Sequence, residues 1–143
     1  MIFREIQFGS DDFHKECELR NSVLRLPLGL NLFDEDLSKE NKQMHFGMFD
    51  EVGKLLACVV AVAMSPTDVR IRQMAVDSKH QGAGCGRSLM VRIETDLAKR
   101  GFVHFFMHAR VSAIGFYEKL GYTMVGEEFT EVGISHAQME KCI

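Results

Sequence analysis

The sequence has no tryptophan, only two prolines and two tyrosines, and a formal net charge of just −3. So small a net charge argues against nucleic-acid binding, because proteins that bind a phosphate backbone are usually clearly basic. The longest apolar run, residues 55–64, is far shorter than the roughly 20 residues that span a bilayer. Residues 1–5 become charged at once and resemble no signal peptide. We therefore predict a cytoplasmic protein that binds neither nucleic acid nor membrane.

Cysteine is also sparse, and its spacing excludes two further classes of protein. The four cysteines, Cys17, Cys58, Cys85 and Cys142, are far apart and form no Cys-x-x-Cys pair. This pattern fits neither a zinc site nor a disulfide framework. We expect reduced thiols and no bound metal.

What remains is the composition of an ordinary folded protein. Hydrophobic residues make up 46% of the 143 residues and charged residues 26%, which is typical of a globular domain. A chain of this length fits one hydrophobic core, whereas two independent domains would be cramped. We therefore predict a single domain that covers residues 1–143.

Periodicity and turn residues predict an α/β fold. Ser10 or Asp11 can cap a first helix that ends before Pro27, and Leu89, Ile93 and Leu97 fall on one face of a long helix stopped by Gly101. The predicted order is β-α-α-β-β-β-α-β-α-β-β, a mixed central sheet flanked by helices. The strands are expected at 2–8, 45–49, 54–64, 69–76, 102–107, 122–125 and 137–142, and two further helices at 34–42 and 112–120.

A glycine-rich loop precedes the long helix, where Gly82, Gly84 and Gly86 alternate. Glycines let a ligand approach the backbone, and the N–H groups at a helix start favour phosphate or pyrophosphate, although a plain turn is the simpler alternative. A Walker loop is excluded because position 81 is glutamine, and a dinucleotide fingerprint is excluded because the spacing is Gly-x-Gly-x-Gly.

Three segments in order resemble one known family. Residues 81–86, Gln-Gly-Ala-Gly-Cys-Gly, resemble the cofactor motif of the GNAT acetyltransferases, and residues 73–76 are similar to the strand before it. Residues 116–122, Phe-Tyr-Glu-Lys-Leu-Gly-Tyr, resemble the second cofactor motif. Segments 23–30, 126–129 and 133–136 are similar to the ElaA-like and YjcF-like branch, with Ser135 where that branch usually has proline.

The resemblance implies acetyl-CoA as the acetyl donor and a GNAT-like fold. It implies that the pantetheine arm pairs with the fourth strand, and that one N–H near Met74 or Ala75 faces the thioester oxygen. It implies that the loop after this strand binds the pyrophosphate. The cofactor-binding residues so implied are Met74, Ala75, Val76, Gln81, Gly82, Ala83, Gly84, Cys85, Gly86 and Arg87.

Tyr117, within the second motif, is the predicted general acid. A tyrosine hydroxyl has an ordinary pKa of about 10, so it carries a proton that the departing thiolate can take. The alternative role is packing of its helix against the sheet, and we interpret Tyr122 as structural. The family often has asparagine seven residues before this tyrosine, where Arg110 stands here. Arg110 could contact a cofactor phosphate or pair with an acidic neighbour.

The general base stays open at this point. Glu127, Glu128, His108 and His136 are candidates, and a chain of water molecules is another route for the proton. Glu131 belongs with Glu127 and Glu128 to an acidic segment that could attract a cationic amine. Cys85 at a helix start could act as a nucleophile, but the implied cofactor phosphates disfavour a thiolate, so direct transfer is the preferred mechanism.

The sequence thus predicts an N-acetyltransferase that moves an acetyl group from acetyl-CoA to a primary amine of a small molecule or peptide. Two alternatives share parts of this reading: a non-catalytic acyl-CoA-binding sensor domain, and a protein-interaction domain without acetyl-CoA affinity. A homodimer is compatible with the sequence.

Overall fold

The computed structural model describes all 143 residues. It has seven strands and three α-helices, in the order β-α-β-β-β-α-β-α-β-β. Their bounds are β1 (Ile2–Ile6), α1 (Asp11–Arg20), β2 (Met44–Phe49), β3 (Leu55–Ala63), β4 (Asp68–Val76), α2 (Cys85–Lys99), β5 (His104–Arg110), α3 (Ile114–Lys119), β6 (Thr123–Glu131) and β7 (Ile134–Cys142). The strands form one mixed sheet in the order β1-β2-β3-β4-β5-β7-β6. The predicted α/β fold class is therefore confirmed.

Local signals account for the main elements. The Ser10 side chain accepts a hydrogen bond from the Phe13 N–H and caps α1. Leu89, Ile93 and Leu97 are fully buried along α2, and Gly101 takes a φ of 103° where that helix stops. These features agree with the periodicity and the capping residues of the sequence.

The predicted second helix, residues 34–42, is wrong. Two short 3-10 turns, Leu32–Asp34 and Ser38–Lys42, stand there instead, and Glu40 is buried. The reason is tertiary, because Glu40 binds Arg20 in the interior.

The first helix ends at Arg20, before Pro27 as predicted. The chain then continues through a π-helical turn, Asn21–Arg25, and a 3-10 turn, Leu26–Leu28, which contains Pro27. Proline has no backbone N–H. It is tolerated at the start of a helical turn because an N–H at that position would have no acceptor within the turn.

The predicted strand 122–125 is too short. β6 runs to Glu131, with a register irregularity between Val125 and Phe129, and Tyr122 precedes it. Gly126 within the irregular stretch has a φ of 74°. A glycine that looks like a strand break in sequence therefore serves as a bulge.

Residue contacts divide the chain into two compact units. The first comprises residues 1–61 and 73–96, and its antiparallel strands β1, β2 and β3 pair in sequence order. Its core includes Ile6, Phe13, Cys17, Leu32, Phe49, Leu55, Cys58 and Ala75.

The second unit comprises residues 62–72 and 97–143. Its parallel ladder between β4 and β5 runs from the pair Asp68–His104 to the pair Ile71–Met107, and β7 pairs antiparallel with both β5 and β6. Its buried residues include Val69, Phe105, Met107, Ala137 and Met139. That the whole chain behaves as a single domain stays a prediction.

Candidate active site

The backbone of β4 departs from regular strand geometry immediately before the residues implied to pair with the donor. Gln73 has a φ of 52°, in the left-handed region that non-glycine residues rarely adopt. Its side-chain oxygen accepts a 2.8 Å hydrogen bond from Arg20 Nε. Met74, Ala75 and Val76 follow Gln73 in the strand, and Ala75 is buried. A buried arginine thus holds the residue of β4 that has the positive φ.

Arg20 itself lies in a network of fully buried charges. Its Nη1 is 2.8 Å from Glu16 Oε2 and 2.7 Å from Glu40 Oε1, and its Nη2 is 2.7 Å from Glu40 Oε2. Burial lowers the pKa of Arg20, but the hydrogen bond and charge of Glu40 more than offset it, so this pKa is raised. The guanidinium therefore stays charged between its two carboxylates.

His45 completes the network and balances its charge. Its Nδ1 is 2.9 Å from Glu16 Oε2 and its Nε2 is 2.9 Å from the Glu40 carbonyl oxygen. Both partners can only accept, so each ring nitrogen donates and the imidazole is doubly protonated. Burial lowers the pKa of His45, but the bond and charge of Glu16 raise it overall. Two cations then face two carboxylates.

Glu16, Glu40 and His45 bring ligand atoms to within 4.8 Å of one another, a spacing that a metal ion would accept. Here the Arg20 guanidinium bridges both carboxylates, and both nitrogens of His45 carry protons. Metal ligation needs a histidine nitrogen with a free lone pair. We therefore interpret the cluster as a structural ion network.

The turn after β4 is fixed to the first unit by Asp77. Its N–H donates to the Leu56 carbonyl at 2.8 Å, and its carboxylate lies 3.0 Å from both Lys54 Nζ and His80 Nδ1. The hydrogen bond from Lys54 holds the pKa of Asp77 below its usual value. Gln81 Nε2 donates to the Val76 carbonyl at 3.2 Å, so the loop begins close to the strand end.

The glycine-rich loop presents a row of backbone donors. Gly82 and Gly84 have φ values of 83° and 82°, and a Cβ added at either would meet no atom within 4 Å. The N–H groups of Gly82 and of residues 84–87 have no acceptor within the chain, whereas Ala83 N–H donates to the His80 carbonyl. Such a row at the start of a fifteen-residue helix can hold an anion.

The four cysteines form no disulfide bond in the structure. Cys85 is 3% exposed, so it can offer a ligand only its backbone N–H. Burial raises the pKa of Cys17 to about 11 and that of Cys58 well above its ordinary value. None of these three buried thiols is placed to act as a nucleophile.

In the second unit, Tyr117 lies on α3 in an aromatic cluster. Its ring packs edge-on against Phe116 at 5.0 Å and Tyr122 at 5.9 Å, and its hydroxyl makes no hydrogen bond within the chain. Burial raises the pKa of Tyr117, so the hydroxyl stays protonated at neutral pH. The Tyr117 ring therefore does pack in the aromatic cluster, which was the alternative role considered from the sequence. This packing of the ring is compatible with an acid role for the hydroxyl.

The second unit also brings together some of the candidate bases. His108 and His136 both lie beside Glu131, whereas Glu127 and Glu128 are exposed along β6. Arg70 contacts His108 as well, which the sequence did not indicate. Arg110, at the end of β5, stands opposite His136 in the β5–β7 register.

Sequence reasoning also missed the buried network of Glu16, Arg20, Glu40 and His45. One signal was available, because Glu16 and Arg20 are four residues apart and lie on the apolar face of α1 with Phe13 and Cys17. Charged residues on an apolar helix face indicate a buried pair.

No α-helix of the structure is long and apolar enough to span a membrane.

The family follows from comparison with known proteins. Residues 31–143 match the family model described as an acetyltransferase (GNAT) domain. That match covers most of the chain, so the chain belongs to the GNAT acetyltransferase family, and the resemblance seen in the sequence is confirmed.

Two relatives from Bacillus subtilis strain 168 carry acetyltransferase names. One is 28% identical over 144 residues, covering 93% of this chain and 91% of its own. The other, the uncharacterized N-acetyltransferase YjcF, is 36% identical over 73 residues, covering 50% of this chain and 52% of its own.

Solved structures confirm the fold. An N-acetyltransferase from Lactobacillus plantarum superposes with a TM-score of 0.87 at 19% identity, over 99% of both chains. Escherichia coli ElaA gives 0.79 at 18% identity, over 99% of both chains. An aminoglycoside 6′-N-acetyltransferase crystallised with coenzyme A gives 0.75 at 19% identity, over 99% of this chain and 97% of the other.

Proposed function

We propose that the protein transfers an acetyl group from acetyl-CoA to a primary amine of a small molecule or peptide by direct attack. The observation that carries this proposal is the row of unpaired N–H groups at Gly82 and residues 84–87, at the start of α2. The start of a helix leaves its first N–H groups without intrahelical acceptors, and a pyrophosphate would supply several acceptors at once. Membership of the GNAT family makes coenzyme A the pyrophosphate compound to test first.

The donor would be held by the strand and the loop in succession. The pyrophosphate would accept from the loop N–H groups, and the exposed Arg87 side chain would add positive charge. Met74, Ala75 and Val76 would pair with the pantetheine amides, as the family resemblance implies. A relative of this fold binds coenzyme A in its crystal structure, which supports the same ligand class here.

Acyl transfer also needs stabilisation of the oxyanion and a proton for the leaving thiolate. A backbone N–H of Met74 or Ala75, directly after the positive φ at Gln73, is the proposed donor to the thioester oxygen. Tyr117 is the proposed donor to the sulfur. Its raised pKa keeps the phenol protonated, so it gives a hydrogen bond to sulfur as negative charge develops there.

Direct attack by the amine is favoured over an acyl-enzyme intermediate. Cys85 is the one cysteine within the loop, and its thiol is buried in the side of α2 that packs into the interior. A nucleophile must reach the thioester carbon, and a buried thiol cannot do so. The acceptor amine, once neutral, is the remaining nucleophile.

The proposal is tested by incubating the purified protein with acetyl-CoA and a panel of primary amines, and measuring free thiol. We expect amine-dependent thiol release that is linear in enzyme concentration, with the acetylated amine detected by mass spectrometry. Binding of coenzyme A without thiol release with any amine would favour the sensor alternative. No binding of coenzyme A would contradict both readings and leave a protein-interaction domain.

Replacing Gly84 with leucine is expected to raise the Kd for coenzyme A by about tenfold or more, equivalent to about 1.4 kcal/mol. The side chain would occupy the space next to the loop N–H groups, which is open in the structure. Calorimetric titration with coenzyme A measures the change.

Gly53 supplies the matched control for this substitution. It has a φ of 88°, likewise has no atom within 4 Å of an added Cβ, and lies in the turn between β2 and β3. Gly53→Leu should carry a similar backbone strain and leave the Kd within about twofold. Equal affinities in the two variants would remove the loop from the donor site.

A further inference from the structure

One face of the second unit carries a polar cluster. Side chains alternate along strands, and His108 and Arg110 of β5 stand opposite Gln138 and His136 of β7, so all four share a face. Glu131 at the end of β6 reaches this face, with its Oε1 3.1 Å from His108 Nδ1 and its Oε2 3.8 Å from His136 Nε2. This arrangement resembles a base oriented by a carboxylate.

We propose that His108, oriented by Glu131, is the general base that removes a proton from the acceptor amine. This inference rests on the proposed function and assigns the step that it leaves open. His108 Nε2 accepts one proton from the ammonium group, which frees the nitrogen lone pair. The amine nitrogen then bonds to the acyl carbon, the carbon–sulfur bond breaks and the sulfur takes the Tyr117 proton. The surplus amine proton restores Tyr117 through solvent, and His108 returns its proton to solvent.

His108 Nδ1 lies 3.1 Å from two groups of opposite kind: Glu131 Oε1, which only accepts, and Arg70 Nη2, which only donates. We take the tautomer in which Nδ1–H donates to Glu131, and the lone pair of the neutral ring then lies on Nε2. His108 Nε2 makes no hydrogen bond within the chain, and the side chain is 27% exposed. The atom that must accept the proton is therefore both unengaged and accessible.

Glu131 is ionised in this setting. Burial raises its pKa, but the hydrogen bond to His108 and the charges of His108, His136 and Arg70 lower it overall. An ionised Glu131 stabilises the imidazolium that forms when His108 takes a proton. Its role is that of a positioning residue for the base.

The charged and titratable groups near His108 on this face come from four strands, and Arg110 lies two residues along β5 itself. Glu131 comes from β6, His136 from β7, and Arg70 from β4, with its Nη2 3.1 Å from His108 Nδ1. With a proton on Nδ1, Arg70 cannot donate to that atom and is a neighbouring cation of the ring.

Phe129 and His136 complete the surroundings of the base. The Phe129 ring meets the His108 ring edge-on at 5.1 Å and stacks on the His136 ring at 6.1 Å. His136 is 4% exposed, and its Nδ1–H donates to the Ile134 carbonyl at 3.0 Å. His136 is buried and engaged, so of the two histidines beside Glu131 only His108 can meet an amine.

His104 supplies an internal comparison. It lies four residues earlier on the same face of β5, is similarly exposed at 29%, and also pairs with carboxylates. Its Nε2 is 2.9 Å from Glu140 Oε2 and its Nδ1 is 3.4 Å from Asp68 Oδ1. Both nitrogens of His104 face carboxylate oxygens, so neither is open to an amine, in contrast to His108 Nε2.

The test compares His108→Asn with His104→Asn in thiol-release assays, using the best amine of the panel. We expect His108→Asn to lower kcat about 10²-fold at neutral pH, the lower end for acid–base catalysis because an ammonium also loses protons to solvent. Its acidic limb in the pH profile of kcat/KM should disappear, while the KM for acetyl-CoA stays unchanged. His104→Asn should keep both kcat and the pH profile within about twofold.

Glu131→Gln adds a second readout. The glutamine oxygen can still accept from Nδ1–H but no longer stabilises the imidazolium, so the acidic limb should move while kcat falls less than in His108→Asn. Equal loss in the His108 and His104 variants, or an unchanged pH profile in His108→Asn, would overturn the proposal and leave the proposed function intact. A wild-type protein that binds coenzyme A but releases no thiol would contradict the proposed function itself, and this inference with it.

Discussion

Replacing Arg20 with methionine is expected to lower the free energy of unfolding by about 3–5 kcal/mol, a large share of a typical domain's stability. The substitution removes the one guanidinium that bridges Glu16 and Glu40, and both carboxylates lie in the interior. A carboxylate left buried without its partner bears most of its desolvation cost. With a slope of about 2 kcal/mol per M, the urea midpoint should fall by roughly 2 M.

Arg25→Met is the matched control. Arg25 makes one ion pair at the same distance, 2.7 Å to Glu35 Oε2, but Glu35 is 41% exposed. Ion pairs with solvent access contribute at most about 1 kcal/mol, so the midpoint should shift little. A similar shift in the two variants would show that water reaches the Arg20 network.

A triple variant tests the reason for the Arg20 effect. Glu16→Leu and Glu40→Leu, added to Arg20→Met, leave no carboxylate in the interior, and His45, which then lacks Glu16, can give up its second proton. Replacing buried ion pairs with apolar residues is often neutral for stability. We therefore expect the triple variant to be more stable than Arg20→Met alone, as measured by the same urea denaturation.

Residue patterns that act locally were sufficient to predict most of the fold. The alternating strands, the Ser10 cap and the stripe of Leu89, Ile93 and Leu97 each depend on neighbours in sequence. The predicted helix over residues 34–42 was wrong because the structure of this segment depends on a contact that is distant in sequence. Its charged residues look like an exposed helix, but Glu40 is drawn inward by Arg20, twenty residues earlier. Such a long-range ion pair leaves no periodic trace.

In the candidate site, too, the part that depends on local sequence could be predicted, and the part that depends on distant residues could not. The glycine-rich loop was visible in sequence because its positive φ angles require glycine at fixed spacing. The pair of His108, the proposed base, with Glu131 was not visible, because the two residues are separated by 23 residues and meet only through the pairing of β6 and β7 with β5. Histidine and glutamate are common on surfaces, so residue type alone could not select this pair. Their distance, and the free Nε2, distinguish His108 from the other candidates.

Tyr117→Phe is expected to lower kcat for thiol release by about 10²–10⁴-fold, while the Kd for coenzyme A stays within about twofold. The substitution removes only the hydroxyl, which makes no hydrogen bond within the chain, and keeps the ring that packs against Phe116 and Tyr122. Stability should therefore change little, in contrast to Arg20→Met. A stopped assay of free thiol and a urea denaturation curve separate the two effects.

Tyr122→Phe is the control, since it removes the same atom from the neighbouring ring of the same aromatic cluster. Tyr122 is 2% exposed, and it precedes β6 outside the second cofactor motif's helix. Its loss should affect the free energy of unfolding more than kcat. If Tyr117→Phe kept full turnover, the sulfur would take its proton from another donor, and the hydroxyl would have no part in the reaction. If in both variants the fall in kcat only followed the fall in the free energy of unfolding, both tyrosines would have the packing role considered from the sequence.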